Sequence, residues 1–387
     1  MPRIAYISST FPDYQKCGTG IYAGYLTEAL AQQGHDVHVI TSSIPEIRPT
    51  FGKVTVHKAL SGWNMPDLPK LMRLFFQIKP DIIHINHPTA IASAKSKVLV
   101  NLLPEINRTT WKLPLITTIH EFPNVSLLGK LKIIPMLLSS DVVTVTNRHY
   151  KEKMLKYLPA NYDRRIQVIN LGSQFKQNLP ARTKFEQKQR WDINPDDKVI
   201  GFVGFITPPK GFHNLITAVT PLLKKDPKLK VLALSSWNLT KPSYRQKIMD
   251  LIEKAGISHQ VIFSGFLEDD DLWSALSAID LCVFAFDFPV EERSSGPLRQ
   301  VIFKGLPTVV YANDINYSEF GFKHKENIWF TPIGNTEALR NDIQNLLDHT
   351  EQLENLSQGA LALRHELSFD AISNAFSRVY SDLLTRR

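Results

Sequence analysis

Residues Glu291 to Val310 read EERSSGPLRQVIFKGLPTVV. Two adjacent carboxylates precede Ser294, Ser295 and Gly296, small residues that leave their backbone N–H groups open where a helix would begin. Such a turn binds anions, because the first N–H groups of a helix lack intrahelical partners and point along the positive end of its dipole. The helix would run through Leu298, Val301 and Ile302 to Lys304, stop at Gly305 and pass into a strand over Thr308–Tyr311. Function would sit in the turn. The bland alternative is an ordinary connection with a serine cap.

Read outward from that stretch, apolar strand-like runs alternate with helix-length segments along the whole chain, the pattern of parallel sheets covered by helices. The first half supplies Ile4–Ser8, Val37–Thr41, Ile82–Ile85, Leu115–His120, Val142–Thr146 and Ile166–Ile169. The second supplies Val199–Val203, Lys230–Leu234, Val261–Ser264, Leu281–Ala285, Thr308–Tyr311 and Ile328–Phe330. Each series suffices for one doubly wound sheet, and 387 residues suit two domains. The polar stretch from Gln174 to Asp197 reads as the linker.

Composition narrows the class. With 43% hydrophobic and 21% charged residues the chain is globular. Arg3–Ser8 reads as a buried strand instead of a leader segment, and no apolar run approaches the ~18 residues of a membrane span, so a cytoplasmic protein is expected. Cys17 and Cys282 are far apart and have no histidines at ligand spacing, which suggests neither a disulfide nor zinc. The net charge of +8 is uneven: residues 1–175 hold 20 Lys+Arg against 11 Asp+Glu, residues 176–387 hold 25 against 26. No nucleic-acid-binding signature accompanies this charge. An anionic membrane surface or a phosphate-bearing acceptor fits better, because Leu68–Phe76 and Lys130–Ile134 mix cations with apolar groups. A merely solvated basic face is the alternative.

A second glycine-marked turn follows the first strand. Gly18, Thr19 and Gly20 open a helix that runs to about Gln33 and ends at Gly34. Its N–H groups would let a phosphate approach closely, although the spacing lacks the third glycine of a dinucleotide fingerprint.

At this point the residues resemble the retaining glycosyltransferases of family 4, which have the two-domain GT-B architecture. Gly18-Thr19-Gly20, followed by Leu26, Leu30 and Gly34-His35-Asp36-Val37, is similar to the family's opening glycine loop and first helix. Lys79-Pro80-Asp81-Ile82-Ile83-His84 and Thr117-Thr118-Ile119-His120 resemble two of its strand ends. Gly204-Phe205-Ile206-Thr207-Pro208-Pro209-Lys210-Gly211, followed by Leu215, Ile216 and Ala218, resembles its phosphate-lysine loop. Glu326-Asn327, Pro332 to Leu339 and Leu367-Ser368-Phe369 match later landmarks in order.

The resemblance implies two Rossmann-like domains facing across a cleft: residues 1–175 for the acceptor, a linker over 176–197, residues 198–365 for the nucleotide sugar, and a C-terminal helix over 366–387 that packs back towards the first domain. It implies a nucleotide-diphosphate sugar as donor, a carbohydrate or lipid-linked acceptor, and no cofactor or metal. Glu292, His120 and Lys210 would be catalytic. Gly18, Thr19, Gly20, Gly204, Ser294, Ser295, Gly296 and Gln300 would bind the donor. The departures are specific. Two glutamates usually stand eight positions apart, and here Glu292 is followed at that spacing by Gln300, which keeps a carbonyl acceptor and loses the charge. Phe205 stands where many relatives carry Arg or Ser. Adjacent Glu291 would exchange roles with Glu292 after a one-residue bulge.

The chemistry can be set against the same residues. Breaking a bond to a nucleotide diphosphate requires stabilising the leaving phosphate and a developing oxocarbenium ion. Lys210 and the two helix starts would hold the diphosphate, Glu292 the sugar hydroxyls, and His120, at the carboxyl end of a strand, the other side of the sugar. In the retaining family the departing phosphate accepts the acceptor's proton. Glu268 to Asp271 reads as the acidic start of a helix near Leu272 rather than as a metal site. Trp237 would stack on a base or cover the core. Two other classes remain open: a GT-B relative with other chemistry, such as a sugar-nucleotide epimerase, and a non-catalytic scaffold.

Overall fold

A computed structural model describes residues 1–386 apart from 13–17, 43–49, 88–97, 123–125, 174–182 and 239. The chain divides into two compact units, Met1–Gly172 with Phe369–Arg387, and Ser173–Ser368.

The first unit holds strands β1 (Arg3–Ser8), β2 (Asp36–Ser42), β3 (Thr50–Phe51), β4 (Val54–Leu60), β5 (Ile82–His87), β6 (Leu115–Ile119), β7 (Val142–Val145) and β8 (Ile166–Val168). They form one sheet in the order β3-β4-β2-β1-β5-β6-β7-β8, parallel except where β3 meets β4. Its helices are α1 (Gly18–Gln32), α2 (Leu68–Ile78), α3 (Val98–Thr109), α4 (Leu127–Ser139) and α5 (Arg148–Leu155). The six runs read from the sequence all form strands, because a parallel sheet covered on both faces buries nearly every side chain. Val54–Leu60 is an addition: Val54, Val56 and Leu60 are buried, but His57 and Lys58 interrupt the apolar run. Its alternation marks a half-buried strand near a sheet edge.

The second unit begins, in the described residues, with α6 (Lys184–Arg190) and continues through β9 (Lys198–Val203), α7 (Phe212–Lys225), β10 (Leu229–Leu234), α8 (Pro242–Ala255), β11 (Val261–Phe263), α9 (Asp269–Ala275) and β12 (Leu281–Phe284). It is completed by α10 (Gly296–Lys304), β13 (Thr308–Ala312), β14 (Trp329–Pro332), α11 (Thr336–Asp348) and α12 (Thr350–Ala362). The sheet is fully parallel, in the order β11-β10-β9-β12-β13-β14. Alternate residues of its strands feed two cores. Ile200, Phe202, Val231 and Val283 pack under α7, α8 and α11. Val199, Val203, Leu232 and Phe284 pack on the other face, under α10 and α12.

Residues 184–190, whose polarity suggests a linker, instead form a helix. Thr183 and Glu186 make a reciprocal capping box, and buried Lys188 donates to the carbonyls of Pro195 at 2.9 Å and Asp197 at 2.6 Å. Trp191 and Ile193 join the core beneath β9 and β10. The rest of that stretch, 174–182, lies outside the described residues. The acidic helix near Leu272 starts at Asp269, after Glu268 as N-cap. Helix α13 (Phe369–Thr385) counts with the first unit: it packs on α1, and the Tyr380 hydroxyl lies 2.6 Å from Nδ1 of buried His84.

Candidate active site

Both sheets have a switch point, where the chain leaves one side of the first strand and resumes on the other. It lies between β1 and β5 in the first unit and between β9 and β12 in the second. Loops at the carboxyl ends of such strands diverge and leave a crevice in which open α/β sheets bind ligands.

In the second unit the loops after β9 and β12 are locked together. Gly211 has φ +68°, and a Cβ there would overlap the carbonyl oxygen of Ala285. Glycine is required for that approach. The Asn214 side-chain amide donates to the same carbonyl at 3.0 Å and to Asp287 Oδ1 at 2.8 Å, and Asp287 N donates to the Pro209 carbonyl at 3.1 Å. This contact carries the ammonium of Lys210 to 5.0 Å from the ring centre of Phe286. Phe286 stacks on Phe288, with centroids 4.8 Å apart and planes within 8°.

Burial, and next the charge of Arg293, push the Lys210 ammonium down to about 8. By area the residue is half-buried, and the shift reflects the dense surroundings of the ammonium itself. Lys210 forms no ion pair or side-chain hydrogen bond among the described residues. Gly204, at φ +114°, packs against Pro297 in the first turn of α10, with 3.2 Å between an added Cβ and Pro297 Cγ.

Helix α10 starts and stops where its sequence directs. The Ser295 hydroxyl accepts from Leu298 N at 3.4 Å as N-cap, and Gly305, at φ +86°, ends the helix in the left-handed conformation. Gly305 N bonds Ile302 O at 2.9 Å and Leu306 N bonds Val301 O at 3.1 Å, the two bonds of a Schellman motif. Ser295 is buried, so its hydroxyl serves the helix. At Gly296 an added Cβ would meet nothing within 4 Å, which leaves the first turn accessible to a ligand. Gln300 stands half-buried farther along the same helix.

The two glutamates differ in what they touch. Glu291 Oε1 accepts from Asn313 N at 3.0 Å and Asp314 N at 2.7 Å, which ties the turn to the loop after β13. Glu292 makes no side-chain hydrogen bond or ion pair among the described residues. Glu291 thus ties the turn through Oε1 alone and keeps a buried Oε2 without a hydrogen-bond partner, whereas both oxygens of Glu292 are open to a ligand.

The first unit gathers its residues around Asn86 at the end of β5. The Asn86 amide nitrogen donates to Ser8 Oγ at 3.1 Å and to the Thr19 carbonyl at 3.3 Å, so its oxygen accepts from His120 Nε2 at 2.6 Å. That assignment leaves Nδ1 of His120 as a hydrogen-bond acceptor. Burial, then His87, push the imidazole down to about 3, so it is neutral at physiological pH. Gly18, Thr19 and Gly20 form the first turn of α1, where Gly18 faces open space and Gly20 lies against Thr10 and Phe11.

The switch points thus bring Gly204, Lys210, Glu292 and Ser294–Gly296 together in one unit, and Gly18–Gly20 and His120 in the other. Sequence reasoning misses Asn86, Phe286, Phe288 and Arg293. The aromatics carry a signal, since two residues two apart in extended chain face the same way. Trp237 packs on the core, 5.0 Å from Phe263, with Arg245 at 5.3 Å. Cys282 is buried with its thiol pushed up, and Cys17 lies outside the described residues. Among the described residues no group of three or more His, Cys, Asp or Glu side chains is arranged to hold a metal, and no helix is long and apolar enough to cross a membrane.

Comparison with known proteins bears on this geometry. The family described as Glycosyl transferases group 1 matches residues 183–362, and Glycosyltransferase Family 4 matches residues 17–173. A D-inositol 3-phosphate glycosyltransferase of Corynebacterium glutamicum is 23% identical, with 99% of this chain and 97% of that protein covered. An N-acetyl-alpha-D-glucosaminyl L-malate synthase of Bacillus anthracis is 20% identical, with 95% and 94% covered. Among solved structures, sucrose-phosphate synthase from Thermosynechococcus elongatus superposes with a TM-score of 0.79 at 18% identity over 100% of both chains. Anabaena HepE in complex with UDP-glucose superposes at 0.75 and 15%, covering 99% of this chain and 100% of that one. The two family matches between them leave only 174–182 uncovered from residue 17 to 362, and the fold is that of the GT-B enzymes: the chain belongs to the glycosyltransferases of family 4, glycosyl transferases group 1.

Proposed function

We propose that the protein transfers a sugar from a nucleotide-diphosphate sugar to an acceptor with retention of anomeric configuration, in the synthesis of a polysaccharide, lipopolysaccharide or glycolipid. The observation that carries the reading is the second unit's switch point. There an ammonium without an ion-pair partner, an open helix start and a carboxylate without partners stand on loops that Gly211 locks together.

Lys210 and the N–H groups of Ser294–Gly296 would take up charge on the leaving diphosphate, where preorganised donors act without reorganisation. Glu292 would hold sugar hydroxyls, and Gln300 would accept from the ribose through its carbonyl. In the first unit Gly18–Gly20 would offer a second helix start, and neutral His120, its Nε2–H engaged by Asn86, would receive a sugar hydroxyl at Nδ1. With burial pushing its imidazole down and its Nε2–H engaged by Asn86, His120 would serve as an acceptor, and the departing phosphate would take the acceptor's proton. No metal or cofactor enters the scheme. The UDP-glucose bound by one structural neighbour makes UDP-sugars the first donors to try.

We further propose that the first unit receives an acceptor at an anionic membrane surface in the cytoplasm. Leu127, Leu128 and Leu131 on α4 are 62%, 72% and 54% exposed, and Phe76 on α2 is 79% exposed, with cationic side chains on both helices.

The test is incubation of purified protein with UDP-, GDP-, ADP- and dTDP-sugars and candidate acceptors, with nucleotide release and product anomer read by NMR. A retained anomer linked to acceptor is expected. Free epimerised sugar would make the protein an epimerase, and no turnover without diphosphate binding would make it a scaffold.

A further inference from the structure

Arg293 follows Glu292 in sequence, and its guanidinium carbon lies 4.5 Å above the ring of Phe288. Phe288 stacks on Phe286, over which Lys210 is placed. Each cation therefore lies over one ring of the same aromatic stack, Lys210 from the β9 loop and Arg293 from the β12 loop. Neither has an ion-pair partner among the described residues, although Glu291 and Glu292 stand beside Arg293 in the chain. Glu291 is turned away to the backbone of Asn313 and Asp314. Phe205, next to Gly204, brings no charge to the facing loop.

Like charges repel, and neither cation has an ion-pair partner among the described residues: after burial, the charge of Arg293 helps to push the Lys210 ammonium down. A ligand with two adjacent negative groups reverses that cost. Cation–π contact with the rings fixes where the charges sit before the ligand arrives. The guanidinium presents a planar fork that matches phosphate oxygens, which an ammonium does not.

We propose that Arg293 is a second diphosphate-binding cation, acting with Lys210 so that the donor's two phosphates are gripped from the β9 loop and the β12 loop together. The inference rests on the nucleotide-diphosphate reading above. It adds a contact that places Arg293 on the leaving group, where developing charge in the transition state makes it a catalytic residue as well.

Calorimetric titration of the full-length protein with UDP, GDP, ADP, dTDP and inorganic pyrophosphate, and with the matching nucleosides, tests it. Arg293→Ala is expected to weaken the preferred diphosphate and pyrophosphate by about 10- to 100-fold and to leave nucleoside affinity unchanged. Arg293→Lys should recover part of the loss. Without the neighbouring charge, the pH at which affinity begins to fall should move up, a shift that a purely structural role would not produce. Thermal unfolding of each variant verifies the fold. Diphosphate affinity within twofold of wild type in Arg293→Ala, alongside a clear loss in Lys210→Ala, would overturn the role of Arg293 and leave the donor reading standing. If Lys210→Ala also binds as wild type does, or no diphosphate binds at all, the donor reading fails and takes this inference with it.

Discussion

Lys210 shows how much a single side chain depends on what surrounds it. Its ammonium is lowered from 10.5 to about 8 in the ligand-free site, because burial and the charge of Arg293 disfavour the cation. On the proposed reading a bound diphosphate would favour the cation and raise its pKa in the complex. Diphosphate affinity should therefore be level just below pH 8 and fall as pH rises above it, by at most about tenfold per unit. Titrations from about pH 6.5 to about 9.5 read this directly, and Lys210→Arg, charged throughout, should remove the fall. A wild-type profile flat to the top of that range would take Lys210 out of the site. The glutamates separate in the same way. Glu292→Gln should lower turnover by ~10²-fold or more if its contacts strengthen as charge develops on the sugar. Glu291→Gln keeps a carbonyl for the Asn313 and Asp314 amides and should cost about 1 kcal/mol of stability with little effect on turnover. Steady-state kinetics with the reverse order of sensitivity would move the sugar contact to Glu291. The spacing alone leaves the choice between the two open, because a bulge of one residue cannot be read from sequence.

At the scale of elements, the site depends on how closely two loops approach. Gly211 caps α7 at φ +68°, and any side chain there meets the backbone carbonyl of Ala285. Gly211→Ala should cost at least ~2 kcal/mol, through left-handed backbone strain and separation of the loops, and should weaken diphosphate binding at least about tenfold. Gly256 supplies the control: it has φ +71° but no atom within 4 Å of an added Cβ, so Gly256→Ala carries only the backbone strain and should leave binding alone. Equal effects of the two substitutions on thermal unfolding and on titration would mean that the close approach is not what holds Lys210. These elements were readable in advance to different degrees. Helix α10 was plain, because Ser295 and Gly305 are standard start and stop residues and Leu298, Val301 and Ile302 give one apolar face. Strands buried on both faces were plain for the same kind of reason. Strand β4 was not, since His57 and Lys58 interrupt its apolar run. Helix α6 was hidden by its charge, although Thr183 and Glu186 carried the capping signal. Arg293 could not be found, because only the folded turn decides that its side chain lies on Phe288 while Glu291 goes to the backbone.

Over the whole molecule, charge and exposed apolar surface are concentrated in the first half, with Lys+Arg exceeding Asp+Glu by nine in residues 1–175 and falling one short in the remainder. A uniform excess would serve solubility alone. Here it coincides with Leu127, Leu128 and Leu131 in the first two turns of α4 and with Met72 and Phe76 on α2, all exposed within the unit that carries the surplus. Each cation near an anionic bilayer contributes about 1 kcal/mol, and that contribution fades within a Debye length, so it weakens as salt rises. Each immersed leucine adds a salt-independent part of the ~1.5–3 kcal/mol that its full burial would give. Co-sedimentation with vesicles containing anionic lipid should accordingly be strong at low salt and decline as salt is added, with weak binding to neutral vesicles throughout. Leu128→Asp removes apolar area and adds a repelled charge at a position 72% exposed, where the fold does not depend on it, and should reduce binding at least about fivefold without lowering the unfolding temperature. If neutral and anionic vesicles bind alike, the surplus charge has no lipid role. If Leu128→Asp sediments as wild type does, α4 is not the face that meets the bilayer.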